Sequence, residues 1–170
     1  MQMLKKTFAS IALLMLTAGL HVDAAWGVEQ GSIELTSIAE VEVKAVSPLG
    51  KVEVKREDAA KAKVVPGDVV IYSTHYRHIG KDPAEKAVII NPVPEHTLYV
   101  DGSAEGKGTK MEFSVDNGKK YGSPKTLMVK GKGGKTRPAA PADYTHIRWT
   151  FEKPLKPGAK GGVSFKAKVK

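Results

Sequence analysis

Hydrophobic and polar residues alternate along most of this chain with a period of two, the pattern of strands that bury one face. Between Ile33 and Ala45 the odd positions carry Ile33, Leu35, Ala39, Val41, Val43 and Ala45, while Glu34, Glu40, Glu42 and Lys44 stand at even ones. Ser47-Pro48-Leu49-Gly50 follows, with proline and glycine placed for a type I turn. Val52 and Val54 then alternate with Lys51, Glu53 and Lys55, so the segment predicts a hairpin. Arg56 to Lys63 has the composition for one helical turn. After the turn residues Pro66-Gly67-Asp68, the β-branched and aromatic run from Val69 to His78 predicts a central strand. Ala87 to Ile90 and Thr97 to Val100 predict short strands, closed by Asn91-Pro92 and Asp101-Gly102.

Beyond a Gly/Lys loop at Ala104 to Lys110, Met111, Phe113 and Val115 alternate with Glu112 and Ser114. Asp116-Asn117-Gly118 is a hairpin-turn sequence, and Thr126 to Val129 predicts another short strand. Lys130 to Asp143 is rich in Gly, Lys and Pro and reads as a long exposed loop. The clearest alternations come last: Ile147, Trp149 and Phe151, then Val163, Phe165, Ala167 and Val169 against Ser164, Lys166, Lys168 and Lys170, with a turn region from Pro154 to Gly162 between them. About seven to ten short strands, with no long helix, predict an all-β, immunoglobulin-like antiparallel sandwich. Trp149, Phe151, Phe165, Ile71 and Val88 are the expected core. Tyr144 is open to two readings: a corner residue whose hydroxyl ties the start of a strand to nearby backbone, or a partly exposed aromatic.

The N-terminus follows a different rule. Lys5 and Lys6 precede an uncharged apolar run, Phe8 to Leu20, and Val22-Asp23-Ala24 supplies small residues at the −3 and −1 positions. This is the layout of a bacterial secretory signal peptide, with cleavage between Ala24 and Ala25. The run falls short of the ~20 residues that span a bilayer. The expected organisation is a signal peptide at 1–24, a β-hairpin extension at 25–63 packed on the sandwich, and the main domain at 64–170. The expected location is periplasmic or extracellular, without a transmembrane anchor.

Composition narrows the chemistry. The 170 residues are 41% hydrophobic and 26% charged, ordinary for a globular chain. Cysteine is absent, which removes disulfides, thiol nucleophiles, thiolate zinc sites and iron–sulfur clusters. The net charge of +9 is uneven: residues 25–100 hold 9 basic and 11 acidic side chains, and residues 101–170 hold 16 and 6. Of the 27 basic residues, 23 are Lys and 4 are Arg. Lysine is a hydrated point charge and not a bidentate fork, so the balance favours solubility or loose attraction to polyanions over a specific phosphate site.

Three blocks carry a family resemblance: Pro66-Gly67-Asp68-Val69-Val70-Ile71-Tyr72, then His78-Ile79-Gly80-Lys81-Asp82-Pro83-Ala84-Glu85, then Val88-Ile89-Ile90-Asn91-Pro92-Val93-Pro94. With Leu155-Lys156-Pro157-Gly158 before the last strand, residues 64–170 resemble a single copy of the bacterial conserved-repeat domain, domain of unknown function 11. Arg77-His78-Ile79-Gly80 departs from that family's Asn-Thr-Gly turn, and Asn91 stands where Asp is common. The resemblance implies an immunoglobulin-like sandwich of secreted or surface proteins, and it transfers no catalytic residue.

Motifs for chemistry are few. Lys130-Gly131-Lys132-Gly133-Gly134-Lys135-Thr136 fails as a phosphate loop, since Val129 occupies the first glycine position and Arg137-Pro138 prevents the helix that must follow. His75 and His78 fall on opposite faces of one strand. A metal site assembled from them with His96, His146 and Asp68 has nothing in the spacing to favour it over polar surface histidines. No nucleophile elbow, zinc helix or calcium loop occurs, so no enzyme and no cofactor are expected. The stretch 153–170 holds Lys153, Lys156, Lys160, Lys166, Lys168 and Lys170 and no acid. These six are the candidate anion-binding residues; the alternative is a solvated face that protects an edge strand from pairing. Aromatic stacking partners for a nucleic acid are missing there. The expectation is therefore a non-enzymatic envelope or surface interaction module with an unknown envelope or surface partner. The alternative is a binder of anionic polymer: lipopolysaccharide, wall polymer or extracellular nucleic acid.

Overall fold

The computed structural model describes residues 32–46, 50–131 and 133–170. Residues 1–31, which hold the expected signal peptide and cleavage point, the Ser47–Leu49 part of the expected first turn and Lys132 lie outside the described residues. Eleven strands form there: β1 (Ile33–Val46), β2 (Val52–Asp58), β3 (Val69–His78), β4 (Val88–Pro92), β5 (Thr97–Tyr99), β6 (Glu105–Gly106), β7 (Thr109–Ser114), β8 (Met128–Lys130), β9 (Thr136–Pro138), β10 (His146–Phe151) and β11 (Lys160–Val169). All pairings are antiparallel. The larger sheet has the order β2-β1-β3-β11-β5, with β6 also on β11; the smaller has β4-β10-β7; β8 and β9 make a separate hairpin. No helix among the described residues is long and apolar enough to cross a membrane.

The two larger sheets face each other as a β-sandwich, and the alternation of β10 and β11 shows why. Ile147, Trp149 and Phe151 turn inward from one sheet, and Val163, Phe165 and Ala167 from the other; all are buried. Aromatic contacts cross the interface: Tyr76 meets Phe151 edge-on at 5.0 Å, Trp149 lies 6.4 Å from Phe165, and Tyr99 lies 5.3 Å from Phe113. A polar link also crosses, with Asn91 Nδ2 donating to Thr74 Oγ1 at 2.8 Å while Thr74 bonds Ser37 Oγ at 3.1 Å. β1 pairs with β3 from Ile33 to Val41 and with β2 from Glu40 to Val46, so it is an interior strand of the larger sheet.

Several expectations need correction. Val88 is 45% exposed, and Ile89, opposite Trp149, is the β4 residue that enters the core. In the run Val88-Ile89-Ile90 every residue is apolar, so the pattern cannot set the phase of the strand. Leu35, on the inward side of β1, is 53% exposed, because the three strands of the smaller sheet do not cover the whole of the larger one. Tyr144 is neither a corner nor exposed. It is buried and stacks on Phe113 at 4.6 Å, while the tyrosine hydroxyl tied to nearby backbone is that of Tyr99, which accepts from the Ala104 N–H at 3.1 Å. The predicted loop from Lys130 to Asp143 contains β9 and a 3-10 turn at Pro141–Asp143. Gly133 and Gly134, both at positive φ, turn the chain back onto β8.

His78 is also not a surface residue. It is 1% exposed at the end of β3, and neither ring nitrogen has a hydrogen-bonding partner. Gly80 packs against it so closely that a Cβ there would lie 2.9 Å from His78 Cε1 and 2.7 Å from Ser32 Cβ. An unpartnered buried polar group costs about 1–3 kcal/mol. His78→Leu, which keeps the volume and removes the polar atoms, should therefore raise the unfolding free energy by about 1 kcal/mol in urea titrations. Gly106→Ala should act the other way. The new Cβ would sit 2.6 Å from Trp149 Cδ1 and 2.7 Å from Thr109 Oγ1, and Trp149, with 0% exposure, has nowhere to move. The expected loss is about 1–3 kcal/mol, read from the urea midpoint at unchanged slope.

Candidate anion-binding face

The candidate lysines divide into two groups. β11 lies between β3 on one side and β5 and β6 on the other. From Val163 to Val169 it has strands on both sides, so edge protection does not account for Lys166 and Lys168. Its odd residues face the core, which sends Lys160, Gly162, Ser164, Lys166 and Lys168 to the outer face of the sheet. Lys170 continues that series, its N–H donating to the His96 carbonyl at 2.9 Å. Lys166, Lys168 and Lys170 follow one another at about 7 Å, and Lys160 stands about 20 Å from Lys166 at the far end of the strand. Lys153 and Lys156 belong to the connection between β10 and β11, on either side of Leu155, whose buried side chain and bridge to Ala84 anchor that turn.

Among the described residues, only Lys166 of these six has an acid within ion-pair reach, with Nζ 3.9 Å from Glu42 Oε1. That carboxylate is shared with Arg56 at 3.7 Å. Glu40, Glu42 and Asp58 occupy the β1–β2 side of the same face, and Ile71 of β3 separates Glu40 from Lys166 in register. Ile71 is 5% exposed although it points outward. The aliphatic stem of Lys166 beside it favours such burial.

The smaller sheet carries a second cationic cluster, and there each cation has an acidic partner. On the outer face of β10, Arg148 donates through Nη2 to Glu112 Oε2 at 2.7 Å and lies 4.3 Å above the Tyr121 ring. Lys110 Nζ stands 3.0 Å from the other Glu112 oxygen. Arg148 first, and Lys110 with it, hold the Glu112 carboxyl below its ordinary range. At the loop end, Arg137 grips Asp143 in a fork, Nη1 to Oδ2 at 2.6 Å and Nη2 to Oδ1 at 2.7 Å. The Ala140 N–H adds a bond to Oδ2 at 2.7 Å, and together these lower the Asp143 pKa. The Arg148–Glu112 pair joins residues 36 apart in sequence, whereas Arg137–Asp143 and Lys110–Glu112 are local. Outward-facing opposite charges were visible along the chain, but their register was not.

The histidines do not converge. His75 faces outward and His78 inward, as their spacing requires. His96 lies in the β4–β5 connection with φ 61°, and His146 Nδ1 sits 3.2 Å from Thr145 Oγ1. Among the described residues no three His, Asp or Glu side chains are placed to hold a metal ion. Comparison with protein-family models, with curated proteins and with solved structures gives no match.

Glu112 gives this description a pH test. Its carboxyl is more acidic in the folded than in the unfolded chain, so the folded state binds fewer protons. The stability it contributes is present above the ordinary glutamate pKa of about 4.3 and is lost as pH falls through the lower folded value. Glu112→Gln, which leaves Arg148 without its anion, should cost about 1–2 kcal/mol at pH 7. The difference from the natural protein should shrink below about pH 4, as read from urea midpoints across the pH range.

Proposed function

We propose that this protein is an exported, non-enzymatic β-sandwich that serves as an interaction module of the cell envelope or cell surface, holding an anionic polymer through the lysines of its C-terminal half. One observation carries the reading. Lys160, Lys168 and Lys170 stand on the solvent face of an interior strand or its continuation, and none has an acidic partner among the described residues. The matched clusters elsewhere, Arg148 with Glu112 and Arg137 with Asp143, explain themselves as structural pairs. Unmatched charge on a rigid face adds no stability through pairing and attracts a partner of opposite sign. Export rests on the N-terminal signal pattern, and the resemblance of residues 64–170 to the secreted conserved-repeat domain supports the same compartment.

Co-sedimentation of the purified protein with envelopes of its host tests this. Binding is expected at low salt, with release near 1 M salt, where the screening length falls from about 10 Å to about 3 Å. Replacing Lys166, Lys168 and Lys170 together by Glu should weaken binding at least about tenfold without altering the fold. Binding that resists salt would identify a specific protein or glycan partner in place of an anionic polymer. Failure to sediment at either salt would remove the envelope-module reading.

A further inference from the structure

At the Lys160 end of the larger sheet, Glu34 and Thr36 of β1, His75 and Arg77 of β3, and Lys160 of β11 surround an outward-facing trough of about 480 Å3. The register assembles it: Glu34, Arg77 and Lys160 form one row across three strands, and Thr36, His75 and Gly162 form the next. Two glycines interrupt the side-chain pattern of β11 here. A Cβ on Gly162 would lie 3.2 Å from His75 Nδ1, and one on Gly161 would lie 2.6 Å from Tyr76 Oη. Bare backbone therefore leaves room beside the imidazole, where a third side chain would otherwise stand.

The polar groups of the trough are only partly used. Arg77 donates Nε at 3.0 Å and Nη2 at 2.8 Å, both to the same oxygen, Glu34 Oε2. Among the described residues this leaves Arg77 Nη1 and Glu34 Oε1 without a partner, one a donor and the other an acceptor. His75 and Lys160 make no hydrogen bond or ion pair among the described residues. Arg77 and Lys160 against Glu34 leave a formal charge of +1 from these three groups. One monoanionic group balances that charge. A phosphate dianion would overshoot it and meet the Glu34 carboxylate. A planar carboxylate suits the guanidinium edge and the ammonium together. Glu34, Thr36 and His75 line the same trough and carry groups that can pair with hydroxyls. The volume lies within the range of small-molecule sites.

We propose that this trough is a subsite for an acidic sugar, with Arg77 Nη1 and Lys160 holding the carboxylate of a uronate residue and Glu34, Thr36 and His75 contacting its hydroxyls. The inference rests on the anionic-polymer reading above and narrows it to one place and one ligand chemistry.

Amide chemical shifts of the purified protein, titrated with trigalacturonate, with uncharged galactotriose and with inorganic phosphate, test it. Trigalacturonate should shift residues 34–36, 75–77 and 160–162. Arg77→Gln should weaken its binding about tenfold and Lys160→Ala severalfold, with Lys125→Ala, at an exposed lysine before β8 that does not line the trough, within about twofold of the natural protein. Lys160 is exposed and unpaired, so its variant tests the site even if Arg77→Gln disturbs the Glu34 pair. Equal binding of galactotriose, or phosphate competing at the same concentration as the uronate, would overturn the assignment. Shifts confined to residues 166–170 would overturn the trough while leaving the anionic-polymer reading in place. No shift with either anion, together with no salt-sensitive sedimentation, would overturn both.

Discussion

The indole of Trp149 sets the terms for the rest of the sandwich. It is wholly buried on β10, facing Phe165 of β11, and the chain crosses from one sheet to the other directly beside it. Gly106 ends β6, paired with the larger sheet, and Thr109 begins β7, paired with the smaller, so the corner between them is only Lys107-Gly108. Thr109 Oγ1 closes that corner by donating to the Gly106 carbonyl at 2.9 Å, and Gly108 takes a φ of 70°. The corner is this tight because Gly106 has no side chain to hold the indole away. Trp149 Nε1 has no hydrogen-bonding partner, which costs about 1–3 kcal/mol. Burying a ring of about 200 Å2 at roughly 25 cal/mol per Å2 returns about 5 kcal/mol, so close packing outweighs the lost bond.

Once β10 and β11 give their odd residues to this core, their even residues are committed to the two outer faces. The consequences differ because the neighbours differ. On β10 the outward cation is Arg148, which finds Glu112 in register on β7 and the face of Tyr121 above it. In that cluster both Arg148 and Lys110 have Glu112 as an acidic partner, and the Tyr121 ring covers the guanidinium. On β11 the neighbours are β3, with Ile71, Ser73 and His75 outward, and β5, whose Leu98 stands opposite Lys168. β6 places Glu105 opposite Ser164, but no carboxylate stands in register with Lys160, Lys166 or Lys168 on the adjoining strands, and the one ion-pair contact among the described residues is from Glu42 of β1 to Lys166. The distinction between a structural and a binding face follows from strand order.

Much of the sandwich was legible in the sequence, and the failures have a common cause. β10 and the Val163–Val169 part of β11 were readable because polar residues fix their phase, while Lys160–Gly162 read as turn; β3 was readable in its bounds but not its phase, and Ile71, expected in the core, lies on the outer face. β4 was readable as a strand, but three consecutive apolar residues gave it no phase, and Ile89 and not Val88 went inside. The hairpin of β8 and β9 was hidden by a glycine- and lysine-rich composition whose strands are 3 residues each. The candidate lysines were visible by count and spacing. Their division into two groups was not, nor was the interior position of β11, because strand order depends on pairings between residues far apart in the chain. The row of Glu34, Arg77 and Lys160 illustrates this limit: it joins three segments that no local pattern relates.

Charge across the outer face of the larger sheet is segregated, and this constrains how a polymer would lie on it. Although Glu42 and Lys166 reach towards each other to 3.9 Å, neighbouring strands are about 4.8 Å apart, so the acids of β1 are rooted about 10 Å from the lysines of β11. That distance is close to the screening length at 0.1 M salt, so an anion laid across the strands would meet attraction and repulsion of comparable strength. Laid along β11 it would meet lysines at both ends of the strand, with Gly162 and Ser164 between and no carboxylate on the strand itself. The path from Lys160 to Lys170 is about 33 Å at the rise of an extended strand. The trough flanked by Arg77 lies at one end of this path and the three-lysine step at the other. A linear polyanion would therefore follow the strand axis, with one fixed point of recognition and a run of looser electrostatic contacts leading away from it.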